Sequence, residues 1–202
     1  MIIIWLSYRT ISLGEKKEEE EPGNSLQRQV SMMITNQEFN DNIEEFVELV
    51  LENLQLLNSA TELLIRNYYI KHLPFEKIYS FISFDLNTVR LNFTISYHDY
   101  YQVPVINCRL YENGKFIVGV ESQTVLTIST NTSVELENHH LLEQPWLQIH
   151  PCETQHTIDE HLRDASQNKK CNHVIEYMCC WFGLYGLPSV FPQFSFRPSI
   201  YS

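Results

Sequence analysis

The first patterned segment of the chain is an amphipathic helix that starts near Thr35. Residues Thr35 to Glu38 have the spacing of a capping box, in which a threonine and a glutamate three positions later bond each other's backbone N–H groups. Apolar side chains then recur at steps of three and four positions, which places them on one helix face: Phe39, Ile43, Phe46, Val47, Val50, Leu51 and Leu54. A second, shorter helix is predicted from Ala60 to Tyr69, because Pro74 cannot continue a helix and restricts the residue before it.

Beyond this point the apolar period falls to two residues, which is typical of β-strands. Four segments rich in β-branched and aromatic residues show this period: Ile78 to Leu86, Thr88 to Tyr97, Val103 to Tyr111 and Lys115 to Val120. The pair Asn113-Gly114 between the last two segments is a strong hairpin-turn signal. Together these segments predict an antiparallel meander.

The C-terminal half alternates polar stretches with short apolar ones. Residues 121–143 are polar and mixed, and the apolar run Trp146 to Ile149 leads directly into His150-Pro151-Cys152, so the cysteine follows the end of a predicted element. Helical character returns at Thr157 to Ala165 and at Cys171 to Tyr185. The second of these segments carries an apolar stripe that we assign to core packing.

The length of 202 residues fits one domain with extensions, since a single core usually stops growing near about 250 residues. Residues 1–31 are predicted to be a disordered extension, because the acidic run Glu18 to Glu21 ends at the helix breakers Pro22-Gly23. The domain itself is predicted over residues 32–187. Residues 188–202 are rich in proline and aromatic side chains, which predicts an extended tail.

The charge balance and the cysteine count limit the choice of partner and compartment. A net charge of −11, from 14 basic and 25 acidic residues, would repel a phosphate backbone over most of the surface, so we expect no nucleic acid partner. The apolar start Met1 to Leu6 is far shorter than the roughly 18 residues that a membrane span needs, so no stable membrane insertion is expected. Five cysteines, an odd number without the spacing of a disulfide framework, favour the reducing cytoplasm.

Among these cysteines, Cys152 is the candidate nucleophile. It follows a proline at the end of a predicted element and has polar neighbours, and a reactive thiolate needs water access and a positioned neighbour. Cys108 lies in a strand pattern, and Cys179 and Cys180 lie in the apolar helix, which are positions typical of core packing.

Two other chemistries would use the same part of the chain. A hydrolase could pair Cys152 with His150 or His156, which is the minimum for acyl transfer to water, although no hydrolase signature surrounds the cysteine. A zinc site could combine these three residues with the later group Cys171, His173, Cys179 and Cys180. No two cysteines are separated by two residues, however, and no familiar zinc-ligand spacing is present.

The segment around the cysteine resembles the active-site segment of the autophagy-related protein 10 family: Gln144-Pro145-Trp146-Leu147-Gln148-Ile149-His150-Pro151-Cys152-Glu153-Thr154. Upstream, Tyr101 to Tyr111 is similar to that family's strand with an arginine-containing end. Downstream, the aromatic helix and Gly186-Leu187-Pro188 resemble the family's C-terminal part. The resemblance follows the order of elements over roughly residues 35–190, and the His-Pro-Cys segment is its specific part.

This resemblance implies an α+β fold like that of ubiquitin-conjugating enzymes, with an N-terminal helix on an antiparallel sheet, followed by the cysteine loop and C-terminal helices. It also implies that Cys152 accepts autophagy-related protein 12 as a thioester from the activating enzyme, autophagy-related protein 7, and passes it to a lysine of autophagy-related protein 5. His150 and Tyr101 match family positions beside the cysteine, where either could donate a hydrogen bond to the oxyanion. No metal or organic cofactor is implied, and the acceptor could dock by adding a strand to a sheet edge.

Two alternatives stay open at this point. The sister family, autophagy-related protein 3, also has His-Pro-Cys and conjugates autophagy-related protein 8 to a lipid, but its long acidic insertion is missing here and Thr154 favours the first family. A protein with this fold could also act as a binding module without catalysis. We expect a cytoplasmic transferase that serves autophagy and protein transport and is recruited to the site of autophagosome assembly.

Overall fold

The structure, a computed structural model, describes residues 33–58, 62–118, 133–149, 172–191 and 194–196, together with single residues at 122, 126 and 158. The chain divides into two compact units, Met1–Val30 and Ser31–Ser202, and every described residue lies in the second. The elements of that unit follow in this order: α1 (Asn36–Asn58), β1 (Leu63–Leu73), β2 (Lys77–Leu86), β3 (Val89–His98), β4 (Val103–Glu112), β5 (Lys115–Ile117), β6 (Val134–Asn138), β7 (Pro145–Ile149), α2 (His173–Tyr185) and a 3₁₀ turn (Leu187–Ser189).

The seven strands form one antiparallel sheet in the order β1-β2-β3-β4-β7-β6, and β5 pairs with β4 alongside that path. Strands β2 to β5 are the meander that the period-two pattern predicts, whereas β1 was not predicted as a strand. Because α1 precedes the sheet and α2 follows it, the predicted α+β architecture is confirmed. Neither helix in the described part of the chain has a stretch long and apolar enough to cross a membrane.

The sheet has an apolar front face and a partly polar back face. On the front face, alternating residues such as Phe93 and Ile106 belong to the same buried cluster as Phe46 of α1 and Trp181 of α2. On the back face, the intervening positions include several buried polar side chains: Thr94, Ser96, Asn107 and Gln148. Burying polar groups of this kind is costly unless they form hydrogen bonds. The polar side chains on this face therefore restrict which alignments of the strands are stable.

The capping box at the start of α1 forms as predicted. The Thr35 N–H donates to Glu38 Oε2 at 2.7 Å, and the Glu38 N–H donates to Thr35 Oγ1 at 3.2 Å. The backbone bond from Thr35 also lowers the pKa of the Glu38 carboxyl. Just before the helix, the carbonyl of Ile34 accepts a hydrogen bond from the Tyr97 hydroxyl at 3.0 Å. The start of α1 is therefore fixed against the end of β3.

The helix predicted from Ala60 to Tyr69 is wrong, because strand β1 occupies Leu63–Leu73 and pairs along its length with β2. The cause is a register shift between Ile65 and Asn67. Before the shift, the odd-numbered residues of β1 pack toward the core. After the shift, the even-numbered Ile70 packs toward the core instead. A bulge of this kind breaks the period of two, so the apolar spacing imitates a helix.

Three further differences concern the limits of elements. The polar stretch 121–143 contains an unpredicted strand, β6, which is mostly exposed and carries glutamates at the edge of the sheet. Charged residues on an edge strand discourage pairing with other chains, and they also conceal the strand pattern in the sequence. The strand predicted to reach Val120 ends at Ile117. The predicted helix over 171–185 forms from His173.

Two other predicted segments lie outside the described residues. They are the helix from Thr157 to Ala165, apart from Ile158, and the extension 1–31.

After the 3₁₀ turn, Val190, Phe191 and Phe194 are buried in the same core as the helices.

Candidate active site

The candidate active site is built around the C-terminal end of β7, where the chain is three residues short of the candidate nucleophile. β7 runs antiparallel to β4, with Gln148 opposite Asn107. Its last residue, Ile149, therefore lies toward the end of the sheet where β4 begins. The turn between β3 and β4, residues 99–102, closes that same end. We call it the Tyr101 end of the sheet.

A buried amide pair fixes the register between β4 and β7. Asn107 Nδ2 donates to Gln148 Oε1 at 3.0 Å, and the two residues are 0% and 3% exposed. A slip of one residue would turn each side chain to the other face, and a slip of two would leave the amides without each other. An unpaired buried amide is destabilising by about 1–3 kcal/mol. The pair thus selects one alignment of the strand that leads to the candidate cysteine.

Arg109 of β4 holds the beginning of β7. Its Nε donates to the carbonyl of Pro145 at 2.9 Å, and its Nη2 donates to Gln144 Oε1 at 3.2 Å. The guanidinium also lies over the Trp146 ring, 4.5 Å from its centroid, in the geometry of a cation–π contact. The arginine noted in the sequence resemblance is therefore an anchor for β7.

The turn that carries Tyr101 is held from several sides. The Gln102 N–H donates to the carbonyl of His98 at 2.7 Å and closes the turn, and Gln102 itself adopts a left-handed φ of 55°. Asp99 forms an ion pair with Lys77 at the start of β2 and accepts a bond from a side-chain amide of α1. The Tyr101 side chain, half-buried, packs its ring 4.6 Å from that of His98. The predicted Tyr101 thus lies in an ordered turn at the end toward which β7 points.

Behind this turn, a loop from the end of β6 places His139 on the back face of the sheet. The Leu141 N–H donates to His139 Nδ1 at 3.1 Å, so the ring proton sits on Nε2, which donates to Thr94 Oγ1 at 2.9 Å. The residue is fully buried. Burial, followed by the nearby His140 and Arg109, lowers the pKa of His139 to about 3. This imidazole is therefore neutral under physiological conditions.

His140 extends the same cluster to the turn. Its Nε2 lies 3.2 Å from the carbonyl of Tyr97, which can only accept, so Nε2 is the protonated nitrogen. Its ring is 4.7 Å from that of His98, which in turn contacts Tyr101. Burial, followed by electrostatic repulsion that would arise if His98 were protonated too, lowers the pKa of His140 to about 4, and burial likewise lowers the pKa of His98. A chain of neutral imidazoles supports the turn from behind.

The structure describes one of the three predicted site residues. Tyr101 is described, and it lies at the end of the sheet where Ile149 ends β7. His150 and Cys152 lie outside the described residues. The roles assigned to these three side chains therefore stay predictions.

The other cysteines of the described segments do not suit a nucleophile. Cys108 is completely buried in the front core, and burial raises the pKa of its thiol to about 12. Burial also raises the pKa of Cys180, and Cys179 is 3% exposed. Cys108 and Cys180 are free thiols. Because the thiolate is the reacting form, a raised pKa disfavours catalysis, as the sequence patterns predict for these positions.

Within the described ranges, no group of three or more His, Cys, Asp or Glu side chains is arranged to hold a metal ion. The zinc alternative rests mainly on His150, Cys152, His156 and Cys171, which lie outside those ranges.

Sequence reasoning missed the support for the site from His98, His139 and His140. A signal was present, since two adjacent histidines stand in the polar stretch 121–143 and a third histidine directly follows the second predicted strand. These histidines contact one another because the loop after β6 crosses the back face of the sheet. No local sequence pattern specifies that path.

With this geometry established, comparison with known proteins assigns the family. The family model described as "Autophagocytosis associated protein, active-site domain" matches residues 15–194. The chain belongs to this family. Ubiquitin-like-conjugating enzyme ATG10 of Candida albicans (strain SC5314 / ATCC MYA-2876) is 53% identical over 169 residues, which cover 84% of this chain and 94% of that protein. Ubiquitin-like-conjugating enzyme ATG10 of Arabidopsis thaliana is 30% identical over 105 residues, 47% of this chain and 46% of that protein.

The fold agrees with the family as well. The solution structures of KmAtg10 align with a TM-score of 0.52 and 19% identity, covering 81% of this chain and 99% of that one. At this identity the likeness concerns the fold alone. The predicted membership of the autophagy-related protein 10 family, and the choice of that family over its sister, are confirmed. The chain is a ubiquitin-like-conjugating enzyme of the autophagy machinery.

Proposed function

We propose that this enzyme carries autophagy-related protein 12 as a thioester on Cys152. It receives the modifier from the activating enzyme, autophagy-related protein 7, and passes it to a lysine of autophagy-related protein 5. The observation that carries the proposal is the position of β7. This strand is held in one register against β4 and ends at the Tyr101 end of the sheet, three residues before Cys152 in the sequence. The identity with the Candida albicans enzyme over most of both chains supports the same class of reaction.

Chain length limits how far the nucleophile can be from this end of the sheet. Three residues span at most about 11 Å when fully extended. The proposal therefore requires the reacting sulfur of Cys152 to be close to Ile149, the last residue of β7. The buried amide pair and the Arg109 anchor fix where this short tether begins.

The reaction proceeds through two acyl transfers on the same sulfur. The Cys152 thiolate attacks the thioester carbonyl on the activating enzyme, a new C–S bond forms, and the activating enzyme's cysteine leaves as a thiolate. The neutral ε-amine of the acceptor lysine then attacks the Cys152 thioester and forms a tetrahedral intermediate with an oxyanion. Collapse of this intermediate breaks the C–S bond, releases the Cys152 thiolate and, after the amine loses a proton, leaves an isopeptide bond.

The second transfer needs a hydrogen-bond donor for the oxyanion. Either the Tyr101 hydroxyl or the His150 imidazole can supply it. The described structure supports Tyr101, because its ring is held against His98 in a closed turn and the donor would need little rearrangement. Loss of one such donor typically slows the chemical step by about 10²-fold.

The first experiment mixes the purified enzyme with autophagy-related protein 7, autophagy-related protein 12 and ATP and compares non-reducing with reducing gels. We expect a thiol-sensitive adduct at the modifier's mass in the native enzyme and in Cys180→Ser, the matched cysteine control. In Cys152→Ser the adduct should disappear or become a thiol-resistant ester. A thiol-sensitive adduct that persists in Cys152→Ser would show that another cysteine carries the modifier.

The donor is assigned by single-turnover discharge of the loaded enzyme onto the acceptor. Tyr101→Phe keeps the ring contact with His98 and removes only the hydroxyl, so loading should stay unchanged while discharge slows by about 10²-fold. Unchanged discharge in Tyr101→Phe together with slow discharge in His150→Ala would assign the donor to His150 instead.

We further propose that the reaction takes place in the cytoplasm, with recruitment to the site of autophagosome assembly. The free thiols of Cys108 and Cys180 support a reducing compartment. Fluorescence microscopy of the tagged enzyme, before and after starvation, tests this location.

A further inference from the structure

Two aromatic side chains project into solvent at the Tyr101 end of the sheet. Phe75, in the turn between β1 and β2, is 92% exposed, and Tyr100, in the turn between β3 and β4, is 84% exposed. They are the two most exposed large hydrophobic side chains among the described residues. Aromatic residues on a surface contribute nothing to the core, but they are enriched where proteins bind each other.

The two aromatic residues belong to one surface. An ion pair between Lys77 and Asp99 joins the two turns, and these residues lie two positions after Phe75 and one position before Tyr100. The ring of Tyr100 also packs edge-on against that of Tyr101, with centroids 5.2 Å apart. This surface, which we call the Phe75–Tyr100 patch, is therefore continuous with the candidate active site.

The backbone at Phe75 gives a second, independent indication. Phe75 and Glu76 have φ angles of 61° and 55°, both in the left-handed region. Glycine and asparagine adopt this region most easily, whereas a bulky aromatic residue does so at an energetic cost. Because the exposed ring of Phe75 offers no packing in return, the fold itself gives no reason for phenylalanine at this position. Strain of this kind is typical of functional surfaces.

The border of the patch is acidic. Asn40 of α1 donates from Nδ2 to the carbonyl of Glu76 at 2.7 Å, which holds the helix beside the β1–β2 turn. The helix contains six carboxylates and no basic residue, and Glu44 lies one helical turn after Asn40 on the same face. A partner that binds here must therefore offer an apolar contact for the two rings and a basic border around it.

We infer that the Phe75–Tyr100 patch is the docking surface for the acceptor protein, which meets it with an apolar pocket bordered by basic residues near the target lysine. The inference rests on the proposed function. The modifier is tethered to the enzyme by a covalent bond and needs no strong site of its own, because tethering raises its effective concentration. The acceptor is held only by surface contacts, and its lysine must reach the end of the sheet where these rings lie.

The test separates loading, chemistry and docking in the full-length enzyme. Phe75→Asn suits the left-handed backbone and removes the ring, and Tyr68→Ser, at an exposed aromatic residue in the middle of β1, is the matched control. With autophagy-related protein 5 as the acceptor, we expect kcat/KM of transfer for Phe75→Asn to fall by about thirtyfold, mainly through a higher KM, as for a typical interface hot spot. Loading with the modifier and discharge onto free lysine should stay within about twofold of the native rates, since neither needs the acceptor's surface.

The charge at the border provides a second variant. Glu44→Lys should raise the KM of transfer to autophagy-related protein 5, and higher ionic strength should reduce the difference between this variant and the native enzyme, because exposed charges are screened. The effect of Phe75→Asn should persist at high ionic strength, since apolar burial is not screened by salt.

Each other outcome overturns the inference in a recognisable way. Slower loading of Phe75→Asn would assign the patch to the activating enzyme, and slower discharge onto free lysine would show that the ring shapes the catalytic centre. Unchanged transfer to the acceptor would show that the ring is not used. Failure of the proposed function appears differently, as a native enzyme that forms no thiol-sensitive adduct, and it would remove the basis of the inference.

Discussion

Acid should unfold this enzyme through two buried histidines on the back face of the sheet. His139 and His140 are neutral in the folded protein, with pKa values lowered by burial from an ordinary 6.5 to about 3 and about 4. In the unfolded chain the same residues bind protons near their ordinary pKa, so between these limits the unfolded state holds more protons than the folded state. Stability from this source is complete above about pH 6.5 and is lost as the pH falls toward the folded pKa values.

The expected magnitude follows from proton linkage. Each histidine that is protonated only in the unfolded state lowers the free energy of unfolding by about 1.4 kcal/mol per pH unit, so both together lower it by about 2.7 kcal/mol per unit. From about pH 6 to about pH 4 the sum is about 5 kcal/mol, which equals the whole stability of a marginal domain. Protonation of His139 at Nδ1 would also break its bond from the Leu141 N–H.

Urea unfolding followed by fluorescence or circular dichroism, repeated at several pH values, measures this slope. His140→Gln keeps a nitrogen donor for the carbonyl of Tyr97 and removes the titrating group, so it should reduce the slope by about 1.4 kcal/mol per pH unit. His72→Gln, at an exposed histidine, is the matched control for the loss of a histidine as such. If the native enzyme and His140→Gln showed the same slope between about pH 6 and about pH 4, the proposed linkage would be refuted.

Three further variants test the anchors of the site and of α1. Arg109→Lys cannot reproduce both bonds to the start of β7, so it should lower the free energy of unfolding, measured in urea, by about 1–2 kcal/mol. It should also slow transfer of the modifier, and a native-like transfer rate would contradict the role of Arg109 as an anchor. Asn107→Ala leaves the buried Gln148 amide unpaired and should cost about 1–3 kcal/mol in the same assay, whereas no loss would mean that the pair does not fix the register. Thr35→Ala removes the helix cap and should lower the thermal midpoint through a loss of about 1 kcal/mol, which circular dichroism would detect.

The elements that could be predicted from the sequence are those whose signals are local. The capping box at Thr35 specifies its own hydrogen bonds within four residues, and the hairpin at Asn113-Gly114 needs the left-handed backbone that both residues adopt, with φ of 52° and 76°. The alternation along β3 reflects one apolar face and one polar face of the same strand. None of these signals requires knowledge of distant contacts.

The elements that could not be predicted depend on distant contacts or interrupted patterns. The bulge at Ile65 in β1 shifted the alternation and imitated a helix, and β6 is an edge strand whose exposed glutamates hide its pairing with β7. In the site, the bond from Arg109 to the carbonyl of Pro145 joins residues 36 positions apart, and the contact between Thr94 and His139 joins residues 45 positions apart. Residue types at these positions indicate polarity, but only the folded sheet decides what each side chain contacts.

The polar layer on the back face explains how a short strand can hold one alignment ahead of the segment that contains the candidate nucleophile. β7 has five residues, and its front-face contacts, Leu147 and Ile149, are apolar and non-directional, so they tolerate a shift along β4 better than a hydrogen bond does. The hydrogen bond from Asn107 to Gln148 forms in one register only, because a shifted strand would leave both buried amides without each other. Since the chain leaves β7 three residues before Cys152, an error of two residues in register would displace the start of that segment by about 7 Å, which is more than a near-attack geometry tolerates. We therefore expect variants of this pair to impair transfer even under conditions in which the domain stays folded.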